Sequence, residues 1–281
     1  MAIDLVTKFA PYVEEKFTNE SKKSILTNND FSWDGAHSIK LYKVTTGKMN
    51  DYDREGTGSG ATGSRYGSVE NLNATTEELP LKKDRSFTFA IDKMDADETA
   101  QQLQSATALA RQQREVIIPE VDLYTYTVMT TKAGTKAASV ALTEANIYDE
   151  IIKGTEALDD AEVPETERHL TVTPAVYRML KKNPDINMSD TVSEEMKKKG
   201  VIAYLDGMSV IKVTKSKLPT KFGFMISHPS ATVAPTKLED FTVHQNPPGI
   251  SGDLVEGRIV YDAFVLENKA KAIYYMENKT E

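Results

Sequence analysis

The chain has 281 residues and carries 42 acidic against 34 basic side chains, which gives a formal net charge of −8. Its composition of 40% hydrophobic and 27% charged residues is that of an ordinary globular protein, and the acidic balance argues against a dedicated nucleic-acid reader. The sequence has no apolar run of about 18 residues and no signal-peptide pattern, so it predicts no transmembrane helix and no secretion signal. Because it has no cysteine, it predicts no disulfide, thiolate nucleophile or Cys-rich zinc site. These features fit synthesis in the cytoplasm.

The first 46 residues are predicted to form an extended or partly helical arm. Apolar side chains are sparse there, and Leu5, Phe9 and Tyr12 fall near one helical face, which allows a short amphipathic helix. The alternating residues of Ser38–Val44 predict a strand at the end of the arm.

Residues 47–67 are rich in glycine, with six of the chain's 15 glycines. Glycine loses the most conformational entropy on ordering, so this segment is expected to be mobile in the isolated subunit. Because Phe87–Ile91 downstream is again typical of a strand, we expect an extended β-hairpin that projects from the body and needs a partner to order its loop.

A long helix is predicted next. Asp95 and Glu98 can cap its N-terminus, and apolar residues recur at helical spacing as far as Gly134, a candidate C-terminal cap. Pro119 is expected to kink or break the helix near Ile118. A continuous element would contain about 35 residues and extend roughly 50 Å.

From residue 143 the pattern alternates between helices and strands. The turn at Asp206-Gly207 between two apolar runs is a strong hairpin signal. The predicted helices cover 143–158 and 175–182, and the predicted strands lie at 170–173, 201–205, 208–213, 222–226, 242–244, 258–266 and 272–275.

Two glycine-containing motifs suggest ligand sites but lack the required context. Gly58–Gly63 matches the GxGxxG pattern of dinucleotide sites, yet residues 64–67 do not begin a good helix for a phosphate. Asp51–Gly56 begins like a calcium loop, but Thr62 stands where a bidentate Glu is needed. The second motif leaves at most a weak, adventitious cation site.

The four histidines, His37, His169, His228 and His244, lie far apart in sequence and show no metal-binding spacing. His228 precedes Pro229 and is interpreted as a structural histidine. A Ser-His-Asp arrangement stays open at this stage, although no Gly-x-Ser-x-Gly elbow is present. We therefore predict no catalytic residue, cofactor or metal site.

Several segments, in order, resemble those of tailed double-stranded DNA bacteriophage major capsid proteins with the Hong Kong 97-like fold. Leu81–Asp92 resembles the strand that returns from that family's extended loop, and Ala110–Asp122 resembles its spine-helix region. Leu205–Met208 is similar to a hairpin of the axial domain. His228–Ala231 and the stretch from Asn246 to Leu266 resemble the closing strands.

The resemblance implies an α+β fold with four parts. These are an N-terminal arm at 1–46, an extended flexible loop at 47–80, a peripheral domain with a long spine helix at 81–139 and 231–281, and an axial domain at 140–230. It also implies hexamers and pentamers that close into an icosahedral shell around double-stranded DNA.

The resemblance also implies partners and contacts. Expected partners are further copies of the chain, a separate scaffolding protein, a portal protein, a decoration protein and packaged DNA held by non-specific contact, with assembly in the bacterial host cytoplasm and no membrane partner. Residues expected at subunit interfaces are Trp33, Arg54, Arg65, Tyr66 and Arg85.

Three other functions compete with the capsid interpretation. An encapsulin-like nanocompartment would use the same fold around a cargo protein. Another phage structural part, such as a tail-tube or decoration protein, is a second alternative; a tube would be mostly β, and the predicted long helix argues against it. A serine hydrolase would rest only on scattered His, Ser and Asp residues.

Overall fold

A computed structural model describes residues 21–28, 38–44, 46–55, 65–67, 71, 74–94, 105–183 and 201–279. They fall into two compact units, a small one within 35–81 and a larger one formed by the rest. The predicted amphipathic helix near the N-terminus, the glycine motif at 58–63 and the cap at Asp95 and Glu98 lie outside the described residues.

The small unit is a two-stranded antiparallel ribbon. Strand β1 (Ser38–Val44) pairs with β2 (Ala74–Pro80) in a register that runs from Ser38↔Pro80 to Val44↔Ala74. The predicted strand at Ser38–Val44 is confirmed, but its predicted partner Phe87–Ile91 is wrong. That segment belongs to a different sheet, because its aromatic residues find apolar partners there, and the polar segment Ala74–Pro80 closes the ribbon.

In the described part of the larger unit, a short helix, α1 (Lys23–Leu26), precedes the first strand. Leu26 is fully buried among side chains of the long helix and of later strands, including Tyr126 and Met129. Asn28 donates its backbone N–H to the carbonyl of Thr232 at 2.7 Å. Residues 21–28 of the predicted arm are therefore anchored in the core.

The remaining elements of the larger unit follow in chain order. They are β3 (Lys83–Asp92), α2 (Ser105–Gln112), a π-helical turn (Gln113–Ile117), α3 (Ile118–Thr131), β4 (Thr135–Lys136), α4 (Ile147–Asp160), β5 (His169–Val172), α5 (Pro174–Lys182), β6 (Val201–Leu205), β7 (Met208–Lys212), β8 (Phe222–Ser227), β9 (Thr232–Val233), β10 (Thr236–Gln245), β11 (Gly252–Tyr261), β12 (Phe264–Val265) and β13 (Ile273–Glu277), with short 3₁₀ turns at Lys215–Lys217, Pro229–Ala231 and Glu267–Ala272.

Helix α2, the π-helical turn and α3 form one continuous helical segment, Ser105–Thr131, which we call the long helix. Pro119 was predicted to kink or break it near Ile118, and the structure contradicts a break. Proline has no backbone N–H to donate to the preceding turn of an α-helix. The preceding turn, Gln113–Ile117, is a wider π-helical turn, and the α-helix resumes at Ile118. The helix then continues without a break to Thr131.

The long helix ends at Thr131, three residues before the predicted cap at Gly134. Gly134 instead allows its backbone to lie against that of Ala270. Its N–H donates to the carbonyl of Ala270 at 2.9 Å, and a Cβ on residue 134 would lie 2.5 Å from the Ala270 backbone. The glycine is thus required by packing between two chain segments.

Within the described residues, β10, β11 and β3 form a three-stranded antiparallel sheet in that order. One face carries Phe87, Phe89 and Phe241, which pack with Val255 against Leu109 of the long helix. Gly257 lies between the rings of Phe87 and Phe241, where a side chain would collide with both. The small residue allows the aromatic side chains of neighbouring strands to meet.

A six-stranded mixed sheet has the order β4-β13-β8-β5-β7-β6 among the described residues. One face packs against α4 and α5, and the other packs against the long helix and Leu26. Thr173 caps α5 by accepting the backbone N–H of Val176, and Pro174 occupies its first turn as predicted.

The hairpin predicted at Asp206-Gly207 is confirmed, since β6 and β7 pair antiparallel on either side of it. Both turn residues have positive φ, 52° and 75°, as a two-residue hairpin turn requires. The segment 231–281, predicted to lie with 81–139, contributes β10 and β11 to the three-stranded sheet and β13 to the six-stranded sheet. None of the helices in the described ranges is long and apolar enough to cross a membrane.

Candidate subunit interface

Residues 46–55 and 65–67 of the small unit, which we call the tip, expose large apolar side chains. Met49 is fully exposed, Tyr66 is 78% exposed and Tyr52 is 50% exposed. Large apolar side chains gathered at one exposed place are typical of a contact surface. A two-stranded ribbon also has little stability of its own, so the tip is suited to packing on another subunit.

The tip is held together by a few specific contacts. The rings of Tyr52 and Tyr66 meet edge to face, with centroids 5.1 Å apart. The N–H of Asp53 donates to the carbonyl of Arg65 at 2.9 Å, and the Asn50 amide donates to the carbonyl of Tyr66 at 3.3 Å. These contacts join the two sides of the tip and fix which side chains it presents.

A groove of about 120 Å³ runs between the long helix and the three-stranded sheet. Its walls include Phe87 and Ile259 from the sheet and Val116 from the helix, and Val116 is 45% exposed. At its edge the guanidinium of Arg85 contacts the carboxylate of Glu120 at 2.7 Å. The hydrogen bond to Glu120, and then the charge of that carboxylate, raise the pKa of Arg85.

A polar network closes the groove at the start of α3 and the end of β11. The hydroxyl of Tyr261 donates to Glu120 at 3.2 Å, and that of Tyr124 donates to Asp262 at 2.7 Å. Asp262, which is buried, also accepts the backbone N–H of Lys82 at 2.8 Å. Burial raises the pKa of both tyrosines most strongly. The neighbouring carboxylate, Asp262 for Tyr124 and Glu120 for Tyr261, raises it further. The network therefore holds the sheet on the helix.

The five predicted interface residues occupy different places. Arg54, Arg65 and Tyr66 lie in the tip and are exposed, and Arg85 lies on the groove edge in an ion pair within the chain. Trp33 lies outside the described residues. The structure brings three of the five together, and their contact with another subunit stays a prediction.

The motifs considered for chemistry do not converge. In the calcium-like loop, Asp53 uses one carboxylate oxygen to accept the N–H of Glu55 at 3.0 Å. No group of three or more metal-ligating side chains occurs in the part of the chain that the structure describes. His244 lies 3.4 Å from Glu256 on the outer sheet face, whereas His169 is buried in the six-stranded sheet. His228 accepts the N–H of Ser230, as a structural histidine should.

Sequence reasoning missed the exposed apolar residues of both units. Met49 lies beside the glycines of the loop, and its isolation in a polar segment is a usable signal. Val116 and Leu123 are also exposed, at 45% and 38%. Val116 lies within the π-helical turn, where the helical phase changes, so a simple periodicity does not predict its exposure.

Solved structures similar to the chain cover most of its length. One from Mycobacterium phage Che8 has 18% identity and a TM-score of 0.62, covering 93% of this chain and 90% of that one. The capsid of cyanophage P-SCSP1u has 13% identity and a TM-score of 0.64, covering 90% and 86%. A virus-like particle from Pyrococcus furiosus has 11% identity and a TM-score of 0.58, covering 98% and 100%. No protein-family model matches the chain, and no curated protein matches it.

The chain has the Hong Kong 97-like capsid fold. The predicted α+β class is thereby confirmed. Because these identities are low, the likeness to the capsid structures concerns the fold. The described residues build four parts of this fold: the ribbon of β1 and β2, the long helix, and the two sheets of the larger unit.

Proposed function

We propose that this chain is a major capsid protein whose copies assemble as hexamers and pentamers into an icosahedral shell around double-stranded phage DNA. The observation that carries the proposal is the likeness of the fold to phage capsids across about nine-tenths of the chain, as for cyanophage P-SCSP1u at 90%. On this proposal the protein is structural and not an enzyme, and its location is the virion capsid.

The tip supports the proposal by its composition. Its exposed Met49 and Tyr66 would bury apolar area on a neighbouring copy, which is the main favourable term in subunit association. Arg54 and Arg65 would pair with acidic groups at the rim of the same contact, and Trp33 and Arg85 are proposed interface residues as well.

The acidic charge fits a shell that encloses DNA. A chain with a net charge of −8 repels a polyphosphate at long range, so packaged DNA would be held by weak, non-specific contacts. We further propose a separate scaffolding protein, a portal protein and a decoration protein as partners, with assembly in the bacterial host cytoplasm. The four-part division at residues 46, 80, 139 and 230 belongs to the same proposal.

A second candidate is an encapsulin-like nanocompartment that encloses a cargo protein. The likeness to the virus-like particle from Pyrococcus furiosus, which covers 98% of this chain, favours it specifically. The two candidates share the shell and differ in the contents. Nuclease-resistant DNA in purified particles would support the capsid, and an enclosed protein without DNA would support the nanocompartment.

The shell itself is tested by size. Light scattering and electron microscopy of the purified chain, alone and with co-expressed neighbouring genes, should reveal closed particles of tens of nanometres or rings of five and six subunits. A chain that stays monomeric under every condition would contradict the proposal.

The contact made by the tip is tested by a double variant, Met49→Ser with Tyr66→Ser. Both side chains are exposed, so we expect the body of the subunit to fold normally; Tyr66→Ser also removes the ring contact with Tyr52 inside the tip, and we expect assembly to be lost. Loss of a central apolar contact costs about 2 kcal/mol per interface, roughly a 30-fold weaker association at each one. Lys48→Ser, a polar change next to Met49, is the matched control and should assemble. If the double variant assembles normally, the tip is not part of the subunit interface.

A further inference from the structure

One end of the six-stranded sheet carries charges of opposite sign on its two sides. Strands β13 and β5 begin there and β8 ends there, because Ile273 and His169 both pair with Ser227. Strand β7, parallel to β5, and strand β4, parallel to β13, begin at the same end. The segments at this end, in the order of the strands, are together called the charged edge: 132–134, 267–272, 228–231, 161–168 and 206–207.

The side of the charged edge formed by β4 and β13 is positive. It presents Lys132, Lys269 and Lys271, which are all exposed, and Glu267 is the only acid in its two segments. None of the three lysines has a carboxylate at ion-pair distance within the described part of the chain. The backbone hydrogen bond of Gly134 holds the two segments together, so the three positive charges stay on one side.

The side formed by β5 and β7 is negative. Glu162, Glu165 and Glu167 are exposed in the loop before β5, and Asp206 is exposed in the turn before β7. Among the residues that the structure describes, none of these four carboxylates is in an ion pair. Four negative charges therefore stand beside the positive side without internal compensation.

Buried Arg168 holds the acidic loop without neutralising its exposed carboxylates. Its guanidinium is 2% exposed and is engaged by the carboxylate of Asp159 at 2.7 Å and by the carbonyl of Pro164 at 2.9 Å. Glu162 and Glu167 have φ of 58° and 60°, where glycine or asparagine is usual. The loop thus presents its glutamates in a defined conformation.

His228 marks the boundary between the two sides. It follows β8, the strand between β13 and β5, and its N–H donates to the carbonyl of Ala272 at 3.1 Å. Burial lowers the pKa of His228 most strongly, Glu167 from the negative side raises it, and Lys269 from the positive side lowers it. Both charges act on one ring, so the two sides adjoin, and β13 and β5 are about 10 Å apart, twice the usual strand spacing.

This bipolar pattern selects the class of partner. A DNA backbone would be attracted by the lysines and repelled by the glutamates about 10 Å away, which is close to the Debye length, so its net attraction would be small. A second copy of the same edge, turned about a two-fold axis, would place each positive side on a negative side. Such self-complementary two-fold contacts are the commonest in homo-oligomers.

We propose that the charged edge binds the charged edge of a second copy of this chain about a two-fold axis. The contact uses neither the tip nor the groove, so it does not depend on the proposed shell function. Because the paired groups are exposed, their attraction is screened by salt. The dimer should therefore form at about 50 mM salt and weaken strongly at about 500 mM.

Charge reversal tests the contact by sedimentation of the unassembled chain. Lys269→Glu with Lys271→Glu makes the edge acidic throughout, and Glu162→Lys with Glu165→Lys makes it basic on both sides. Each double variant alone should dimerise at least about tenfold more weakly than the wild-type chain, because like charges then face each other. An equal mixture of the two should form a one-to-one heterodimer, and a chain with all four changes should dimerise with itself.

The matched control changes the same charges at the opposite end of the same sheet. Lys221 precedes β8 and Lys279 follows β13, and both are exposed. Lys221→Glu with Lys279→Glu should dimerise as the wild-type chain does. Met49→Ser with Tyr66→Ser should also leave the dimer intact, because the tip lies outside the charged edge. Shells without the dimer would contradict this proposal alone, and dimers without shells would contradict the proposed function alone.

Three results would overturn the proposal. They are a wild-type chain that stays monomeric at low salt, reversal variants that dimerise as tightly as the wild-type chain, and a mixture of the two variants that does not pair. A wild-type chain that binds a short DNA duplex through Lys269 and Lys271 and does not dimerise would assign the positive side to DNA instead. Formation of the heterodimer would itself show that both variants are folded.

Discussion

Replacement of His169 should remove a specific acid sensitivity of the fold. His169 is 6% exposed in the six-stranded sheet, where its neighbours across the strands are Ser209 and Ser227. Its Nδ1 atom has no hydrogen-bond partner in the described part of the chain. Burial, together with the charge of nearby His228, lowers the pKa of His169 to about 4. The native state therefore resists protonation of this ring.

The magnitude follows from the difference between the two states. In the unfolded chain the pKa is near its ordinary value of 6.5, so the contribution of neutral His169 is fully present above that pH and is lost as the pH falls toward 4. The loss is about 2 kcal/mol at about pH 5 and reaches a limit of about 3.4 kcal/mol below pH 4. Burial likewise lowers the pKa of His228, which also faces Glu167, Arg168 and Lys269.

Urea unfolding of the unassembled chain at about pH 7.5 and pH 5 measures this effect. The fall in unfolding free energy between the two values should be about 2 kcal/mol smaller in His169→Gln than in the wild-type chain. Both chains have the same carboxylates, so the effect of carboxylate protonation cancels when the two falls in unfolding free energy are subtracted. His244→Gln, on the exposed outer sheet face, should keep the wild-type fall. If His169→Gln loses as much stability as the wild-type chain, the reasoning about burial is refuted.

Three further predictions concern packing, a buried charge and a cap, all measured as urea unfolding free energies. Gly257→Ala should destabilise the chain by about 1–3 kcal/mol, because the added Cβ would lie 2.7 Å from the ring of Phe241. Arg168→Met should cost about 2–4 kcal/mol, because this 2%-exposed guanidinium contacts Asp159 at 2.7 Å and also donates to two backbone carbonyls. Thr173→Ala should cost about 1 kcal/mol through loss of the α5 cap.

Each change has a matched control. Gly47→Ala adds a Cβ where no atom lies within 4 Å and should be neutral. Arg178→Met removes an exposed arginine and should change stability little. Thr173→Ser keeps the capping oxygen and should retain most of the stability. A control that matched its test variant would show that the named contact is not the cause.

Local signals in the sequence predicted local structure well. Asp206-Gly207 is a two-residue turn between strands, and Pro174 follows a Thr that caps a helix, so each element is fixed by residues within a few positions. The pairing of Ser38–Val44 was predicted wrongly for the opposite reason. Its partner Ala74–Pro80 is polar and shows little strand character, while the aromatic Phe87–Ile91 is a better strand that pairs with distant β11.

The buried polar residues could not be predicted at all. His169, Thr171 and Ser227 look like surface residues in the sequence, yet they lie on one face inside the six-stranded sheet. The cleft between residues 21–28, the long helix and the end of β7 poses the same difficulty, because Lys22, Tyr126 and Lys217 come from three distant segments. Only the topology of the fold brings such residues together. The candidate interface was partly predictable because its tip is local in sequence.

The strand order also determines when the subunit can finish folding during synthesis. Strand β11 lies in the middle of the three-stranded sheet, and β13 lies between β4 and β8 in the six-stranded sheet. Both come from residues 252–277, after every helix and all but one of the other strands described. Neither sheet can close until that segment has left the ribosome. A chain that lacks this segment therefore lacks the central strand of one sheet and an inner strand of the other.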